Sequence, residues 1–496
     1  MKKAILISII VCLIVGVGKM VLREPCVAGQ FYDGDSEKLK KTVEIYLDEA
    51  VEKKGGKPRG LIVPHAGYPF SAQIAADAFK RVQGFNYDFV LILGTNHTVY
   101  PENCGFLYDG DGFKTPLGTV MVDKTIMEQF SKKGDLFKFN NNAHSREHSI
   151  EVQLPFIQTI LPDVRIVPIV IATSDKNYCQ KIGKAIAEIV KDKNFLIVAS
   201  SDLSHYPDFD VAEVVDRETL KSFATMDLNK IVEVETSNLR KPNVDTTACG
   251  IGGIMCLIEA MSNLNCKKVT VISYANSGHT VIGEQDKVVG YGAATFEEGP
   301  YQSDTSVLDI PSFGDELTKS EKDYLLKLAR RTLEDYLNYK VFTLPRFISK
   351  NLQKKQGAFV TLNKKGDLRG CIGHMAEDTP LATTVSMMAL SAALEDTRFY
   401  PVDKSELKDI EIEISVLTPM KEVSGFKDIV IGRDGTLIQK KGRSAVFLPQ
   451  VAPEQGWSRE EMLENLCLKA GLSPDDWKSG CKFFTFQAIV FSEKKH

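Results

Sequence analysis

The chain has 496 residues, 43% of them apolar and 25% charged, with a formal net charge of −4. That length exceeds one ordinary core and predicts two domains, and the composition is that of a folded globular protein rather than a disordered or fibrous one. The slightly acidic balance, with no basic stripe interleaved with aromatics, argues against nucleic acid as a partner.

In chain order, Lys2 and Lys3 precede a mostly apolar run over 4–18, which Lys19 follows. This is the pattern of a secretory signal or signal anchor over residues 1–22, and it predicts a protein that is membrane-anchored or exported. The ten cysteines are scattered without a CxxC pair. That is neither a zinc-ribbon spacing nor the framework of a small disulfide-rich domain.

From 23 to 298, short apolar runs alternate with helical periodicities. Residues 61–68 (LIVPHAGY) read as a buried strand that stops at Pro64 and presents His65. Residues 89–97 (FVLILGTNH) end in the same way at His97, and 195–205 (FLIVASSDLSH) end with Asp202 and His205. Helical spacing runs over 71–82, 147–161, 177–190 and 247–264. A β-rich run covers 164–172, and strands at 268–274 and 288–296 close the region. Three apolar runs that each end in a ligand-type residue predict an α/β fold. Its sheet is mainly parallel and flanked by helices, with a site at the carboxyl ends of the strands.

Residues 299–317 are rich in Gly, Pro, Ser and Asp, have no period, and read as a linker. A smaller α+β domain follows over 318–496. It has helices at 319–339, 380–394 and 459–470, strands at 358–363 and 409–417, and a final strand at 483–491.

His65 and His97 follow different strands, which suits convergence on one sheet edge. His144 and His148 are spaced i,i+4, so a helix would place both on one face, and Asp202 and His205 are i,i+3. Imidazoles with one anionic group form ligand sets for iron, copper and zinc. The alternative is a set of strand-end histidines that donate to backbone carbonyls. In the second domain Arg369, Cys371 and His374 offer a small polar site with Cys371 as a nucleophile or redox thiol, and Arg398 is a candidate anion binder. The alternative there is that Gly370 and Gly373 shape a tight turn and Cys371 points into the core.

PCVAGQFY at 25–32, VPHAGY, LGxxH, EHSIExxLP, SSDLSH and the ACG of 248–250 occur in this order. Over about residues 23–298 they resemble the Memo family, also called AmmeMemoRadiSam system protein B. The resemblance implies a fold like that of class III extradiol dioxygenases, which are non-haem iron enzymes. It implies a metal site formed by His65, His97 and Cys249, with Asp202 and His205 lining the same pocket and His205 at the position of a general base. Cysteine stands where those dioxygenases use a carboxylate. A thiolate is softer and more easily oxidised, which favours copper(I) or redox-active iron and weakens the case for ring cleavage. Glu147 or Glu151, with His148 alongside, would orient a ligating imidazole.

LRGCIGH (368–374), ALEDTRFYPV (393–402), ISVL (414–417) and FLPQVAPEQGW (447–457) resemble the AMMECR family, AmmeMemoRadiSam system protein A, over about residues 318–492. The shared family name implies a radical-SAM partner. The chain has no Cx3Cx2C run, so that component would be a separate protein. The expectation is a fused iron or copper redox protein, an oxidoreductase of dioxygenase-like class, acting on a small molecule or peptide. The alternatives are a non-catalytic ligand- or peptide-binding scaffold and a copper or iron trafficking protein.

Overall fold

In the computed structural model, which describes residues 20–52 and 54–493, the apolar runs form the middle of a nine-stranded sheet. The first unit begins with β1 (Leu22–Arg23), α1 (Ser36–Asp48), β2 (Pro58–Val63), α2 (Tyr68–Val82), β3 (Phe89–Thr95) and β4 (Gly105–Leu107). A hairpin of β5 (Gly112–Thr115) and β6 (Gly118–Met121) leads to α3 (Lys124–Ser131) and β7 (Phe137–Phe139). Three short helices follow, α4 (Asn141–Ser145), α5 (His148–Glu151) and α6 (Leu154–Ile160). Next come β8 (Arg165–Ile171), α7 (Lys176–Val190), β9 (Phe195–Ser200), α8 (Phe209–Ala224) and α9 (Leu228–Asn238). The unit closes with α10 (Ile251–Asn263), β10 (Cys266–Asn276), β11 (Gly290–Glu297) and β12 (Gly299–Asp304).

The sheet runs β12-β10-β11-β2-β9-β3-β8-β4-β7. Strands β2, β9, β3 and β8 are mutually parallel, while β11 on β2, β10 on β11 and β4 on β8 are antiparallel. Every residue of β3 and β9 is buried, as continuous apolar strands beneath helices must be. Helices α7 and α10 pack closely because a Cβ at Gly183 would lie 2.7 Å from the Cys256 carbonyl oxygen.

Three details differ from the sequence reading. The helix expected over 147–161 is two helices, because Pro155 near the start of α6 has no N–H to donate into a continuous ladder. Helix α10 starts at Ile251, which leaves Cys249 in the turn ahead of it. The segment read as a linker opens with β12, an exposed edge strand on β10. It pairs through its backbone, so its side chains carry no period.

The second unit contains α11 (Lys319–Tyr339), α12 (Lys350–Gln353), β13 (Ala358–Lys364), β14 (Asp367–His374), α13 (Leu381–Leu394) and β15 (Ile410–Leu417). It continues through β16 (Lys421–Val423), β17 (Gly435–Lys440), β18 (Arg443–Phe447), α14 (Val451–Gln455), α15 (Arg459–Lys469), β19 (Lys482–Phe486) and β20 (Ala488–Ser492). Two four-stranded sheets result, β14-β13-β15-β20 and β16-β19-β17-β18. The final strand expected at 483–491 is divided at Gln487, and its halves serve different sheets. A capping box between Thr318 and Glu321 starts α11.

The units are joined by polar and apolar contacts. Arg346 donates to both carboxylate oxygens of Asp77 at 2.9 and 2.8 Å, and Thr383 Oγ1 donates to the His279 carbonyl at 3.1 Å. Val341 and Leu344 pack into the first unit's core.

The expectation of a membrane-anchored or exported protein is corrected here. Among the described residues no helix is long and apolar enough to cross a membrane. Apolar α10 has 13 residues, about 20 Å of helix against the roughly 30 Å of a bilayer core. The 21-residue α11 carries charges along its length. The apolar run at 4–18 lies outside the described residues.

Candidate metal centre

His65 lies just past β2, His97 just past β3, and Asp202 and His205 just past β9. These three strands are adjacent and parallel, so all four residues emerge at one sheet edge. Cys249 reaches that edge from the turn before α10. Its neighbour must be glycine: a Cβ at Gly250 would lie 2.6 Å from both the Ser200 carbonyl and Thr95 Oγ1. The turn is pinned by Gly250 N donating to Ser201 Oγ at 2.8 Å.

His65 Nε2 lies 3.3 Å from Cys249 Sγ, and the His65 and His97 ring centres are 5.3 Å apart. Ligand atoms of His65, His97 and Cys249 all lie within 4.8 Å of one another, a group that could hold a metal ion. His97, Glu147 and His148 form a second, overlapping group.

The hydrogen-bond network assigns the tautomer of each ring. Glu147, 1% exposed, has Oε1 3.0 Å from His97 Nδ1. Its oxygens also accept from His97 N and Ser149 N, each at 2.9 Å. Burial alone would push the Glu147 carboxyl up, but the His97 ring and these amides outweigh it and hold it at about 2. An ionised carboxylate only accepts, so His97 Nδ1 carries a proton. Against its own burial, this contact raises the His97 pKa.

His65 Nδ1 is 3.0 Å from Ser200 Oγ. That hydroxyl donates to the Ser149 carbonyl at 2.7 Å and accepts from Gln153 Nε2 at 2.9 Å. Its single proton is committed, so it accepts from His65 Nδ1–H, and Nε2 is free. Burial, and then the facing His97, push the His65 imidazolium down to about 3. Burial, and then Asp202, push the Cys249 thiol up to about 12. The donor set therefore fits an ion: a neutral His65 lone pair, a His97 ring held at Nδ1 by Glu147, and a thiol, with protons on His97 Nε2 and on the sulfur released when a metal binds.

The remaining expected residues divide. Asp202 Oδ1 accepts from the backbone N–H groups of His65 (2.7 Å) and Ala66 (3.2 Å), while Oδ2 is 4.0 Å from His65 Nε2. Burial raises the Asp202 carboxyl and lowers His205, whose buried Nε2 has no hydrogen-bond partner among the described residues. His148 stacks on His97 at 4.8 Å, meets His65 edge-on at 5.2 Å, and carries the Phe31 ring against it at 5.0 Å. His144 does not share its face, because α4 ends at Ser145 and α5 begins at His148. His144 is fully buried and donates from Nε2 to the Phe106 carbonyl at 3.0 Å.

Glu151 orients no ring. It pairs with Arg23 and accepts from Cys26 N (2.8 Å), Val27 N (3.1 Å) and the Tyr32 hydroxyl (2.6 Å), tying residues 25–32 to α5. Sequence reasoning missed Arg23, Ser200 and Gln153. Arg23 also donates to the carbonyls of His144 (2.9 Å) and Glu147 (2.6 Å), which fixes the turn carrying Glu147. Ser200 and Gln153 lie inside the quoted motifs, but polarity alone did not separate them from surface residues. A cavity of about 410 Å3 opens beside Cys249, with Thr95, Asn96, Asn103, Thr173 and Asp175 in its wall.

In the second unit three of the four expected residues gather: Arg398 Nη2 donates to the Cys371 carbonyl at 3.3 Å, and the Arg369 and Arg398 guanidiniums lie over the Phe399 ring at 5.9 and 5.6 Å. Alternation along β14 puts His374 on the opposite face from Cys371. Arg369 forks onto Glu406 at 3.0 and 2.9 Å, and Arg398 forks onto Asp396 at 2.9 and 2.7 Å. His374 Nε2 is 2.7 Å from Asp378. Cys371 Sγ accepts from Thr361 Oγ1 at 3.2 Å, and burial raises its pKa, so the thiol stays protonated. Gly370 lies within a strand rather than a turn. A Cβ there would sit 2.1 Å from the Ala392 carbonyl oxygen, so the glycine admits α13 against the sheet.

A histidine–cysteine ligand cluster at the carboxyl edge of a mainly parallel, helix-flanked sheet defines an α/β protein with a candidate metal centre. The chain belongs to the Memo family: the family model described as Memo-like protein matches residues 23–295, and the AMMECR1 model matches residues 326–491. A MEMO1 family protein of Nitrosopumilus maritimus is 33% identical over 286 residues, covering 56% of this chain and 100% of that protein. A MEMO1 family protein of Methanopyrus kandleri is 33% identical over 289 residues, covering 56% and 99%. The crystal structure of an uncharacterized protein from Pyrococcus horikoshii is 38% identical, covers 34% of this chain and 90% of that one, and has a TM-score of 0.33.

Proposed function

We propose that the Memo-like domain is a redox module in which His65, His97 and Cys249 hold one iron or copper ion. The observation that carries this reading is the ligand group of His65, His97 and Cys249 within 4.8 Å of one another, in which partners hold Nδ1 of each ring and His65 Nε2 lies 3.3 Å from the sulfur. Two imidazoles and a thiolate suit iron or copper better than magnesium or calcium, and such an ion supplies one-electron chemistry.

The chain's own residues supply the rest. Glu147 and Ser200 hold the imidazoles in their binding tautomers. Asp202 fixes the backbone turn that presents His65. His205 is kept neutral by burial, but its Nε2 is closed off and it is not in the wall of the cavity beside Cys249, so its role as a base rests on the family resemblance alone. The cavity of about 410 Å3 beside Cys249 suits a small polar molecule. In this reading the protein acts with a separate radical-SAM protein. The AMMECR1 half serves as an interaction module, since its Cys371 is held as the thiol and its Arg369 and Arg398 are committed to carboxylates.

A trafficking role shares the same donors and is favoured by one observation, the 31% exposure of the His97 side chain, which gives an exchanging chelator access. The test is the metal content of the intact chain purified without oxygen, beside His65→Ala and Cys249→Ala. Near-stoichiometric iron or copper that disappears in both variants supports the metal site. Ready loss to a competing chelator would shift the reading to trafficking. A folded parent that takes up neither metal after loading refutes both.

A further inference from the structure

A second cavity, of about 380 Å3, lies at the junction of the two units and shares no lining residue with the metal centre. The first unit contributes Ile74, Ile272 and Ser273, the connecting segment contributes Ile310, and the second unit contributes Leu344 and Phe347. The Phe347 ring packs on His279 at 4.3 Å, so the wall is continuous across the junction. A void of this volume is within the range, about 300–1,000 Å3, that holds small ligands.

The wall defines what it would take. It is mainly apolar, and its polar Ser273 is only 5% exposed, with its Oγ closed off from the open space. The charged side chains and the histidine in the wall already have partners. Arg217 donates to Glu213 at 3.1 and 2.8 Å, His279 Nε2 lies 3.3 Å from Glu213, Arg346 forks onto Asp77, and Asp309 accepts from Lys221 at 2.9 Å. A charged ligand would find no unpaired partner there. We infer that the junction cavity is a second binding site, for a small, uncharged, mainly apolar molecule. Because its walls come from both units, the bound molecule would touch the Memo-like and AMMECR1 halves at once. This inference is independent of whether the sheet-edge cluster holds a metal.

The test titrates the intact chain with N-phenyl-1-naphthylamine, an uncharged probe whose fluorescence rises in apolar surroundings. Saturable binding at one site per chain is expected. Val307→Trp and Ile348→Trp each add an indole to the cavity wall, one from the connecting segment and one from the second unit. Both positions are at the rim, 45% and 43% exposed, so neither change overpacks the core. Each is expected to weaken the probe roughly tenfold or more by occupying its space, with thermal melting unchanged. Non-saturable binding, no binding to the folded parent, or saturable binding that both tryptophan variants retain at parental affinity would overturn the inference.

Discussion

Replacing Glu147 by Gln turns one acceptor oxygen into an N–H2 donor at a place where all three neighbours donate: His97 Nδ1–H, His97 N–H and Ser149 N–H. The glutamine oxygen can serve only one side of this arrangement. An amide nitrogen at the Oε2 place strands the His97 N–H, and one at the Oε1 place strands the Ser149 N–H and moves the ring proton to Nε2, the lone pair a metal would need. Either way the charged acceptor that holds Nδ1–H is lost. A charge-assisted hydrogen bond is worth about 1.5–3 kcal/mol, which corresponds to roughly 10- to 150-fold in affinity. The range agrees with the roughly 10- to 100-fold that such outer partners contribute to metal binding elsewhere. The assay is anaerobic competition for iron(II) or copper(I) against a chromophoric chelator, with a thermal melt of each protein to show that the fold is intact. A folded Glu147→Gln variant that binds within about twofold of the parent would refute the tautomer argument.

Arg23→Met leaves the buried Glu151 carboxylate without its cation. Three other donors remain, so the loss should fall at the lower end of the 3–5 kcal/mol typical of a broken buried pair, about 3 kcal/mol. It is read as a lowered urea midpoint, and an unchanged midpoint would show that the pair contributes nothing. Asp216→Asn tests a pH dependence. Burial lifts the Asp216 carboxyl from its ordinary 3.8 to about 7, so between these values the folded chain holds a proton that the unfolded chain has released. This contribution is complete near pH 4 and is lost as pH rises through 7. Denaturation at a series of pH values should show the parent weakening across that window and the variant flatter, and identical slopes would refute the assignment.

The sheet was legible because its central strands are buried on both faces, and such strands read as unbroken apolar runs. The strand-end positions of His65, His97, Asp202 and His205 followed from the same runs. The short helices were less legible. Nothing in the spacing of 147–161 shows that the ladder stops before Pro155, and the i,i+4 relation of His144 and His148 vanishes once their helices separate. Strand β12 was hidden because an exposed edge pairs through backbone groups that every residue carries. Both Glu147 and Glu151 begin as charged residues near a helix start. Only the fold shows that one faces an imidazole and the other a guanidinium. The LRGCIGH run suggested a reactive thiol by its residue types, yet Gly370 serves packing and Cys371 is held protonated.

The cluster also has a history within each molecule. His65 and Cys249 meet across 184 positions of chain, His65 and Ser200 across 135, and His97 and Glu147 across 50. Contacts so distant close late, after the parallel strands have paired and the loop entropy has been overcome. No fragment of nascent chain that stops short of residue 249 possesses the sulfur, and no local turn brings the two imidazoles together. If the cluster holds an ion as proposed, that ion would not guide assembly in the way zinc organises a small finger. It would be captured by a molecule whose central strands have already paired, so loading would report that folding is well advanced.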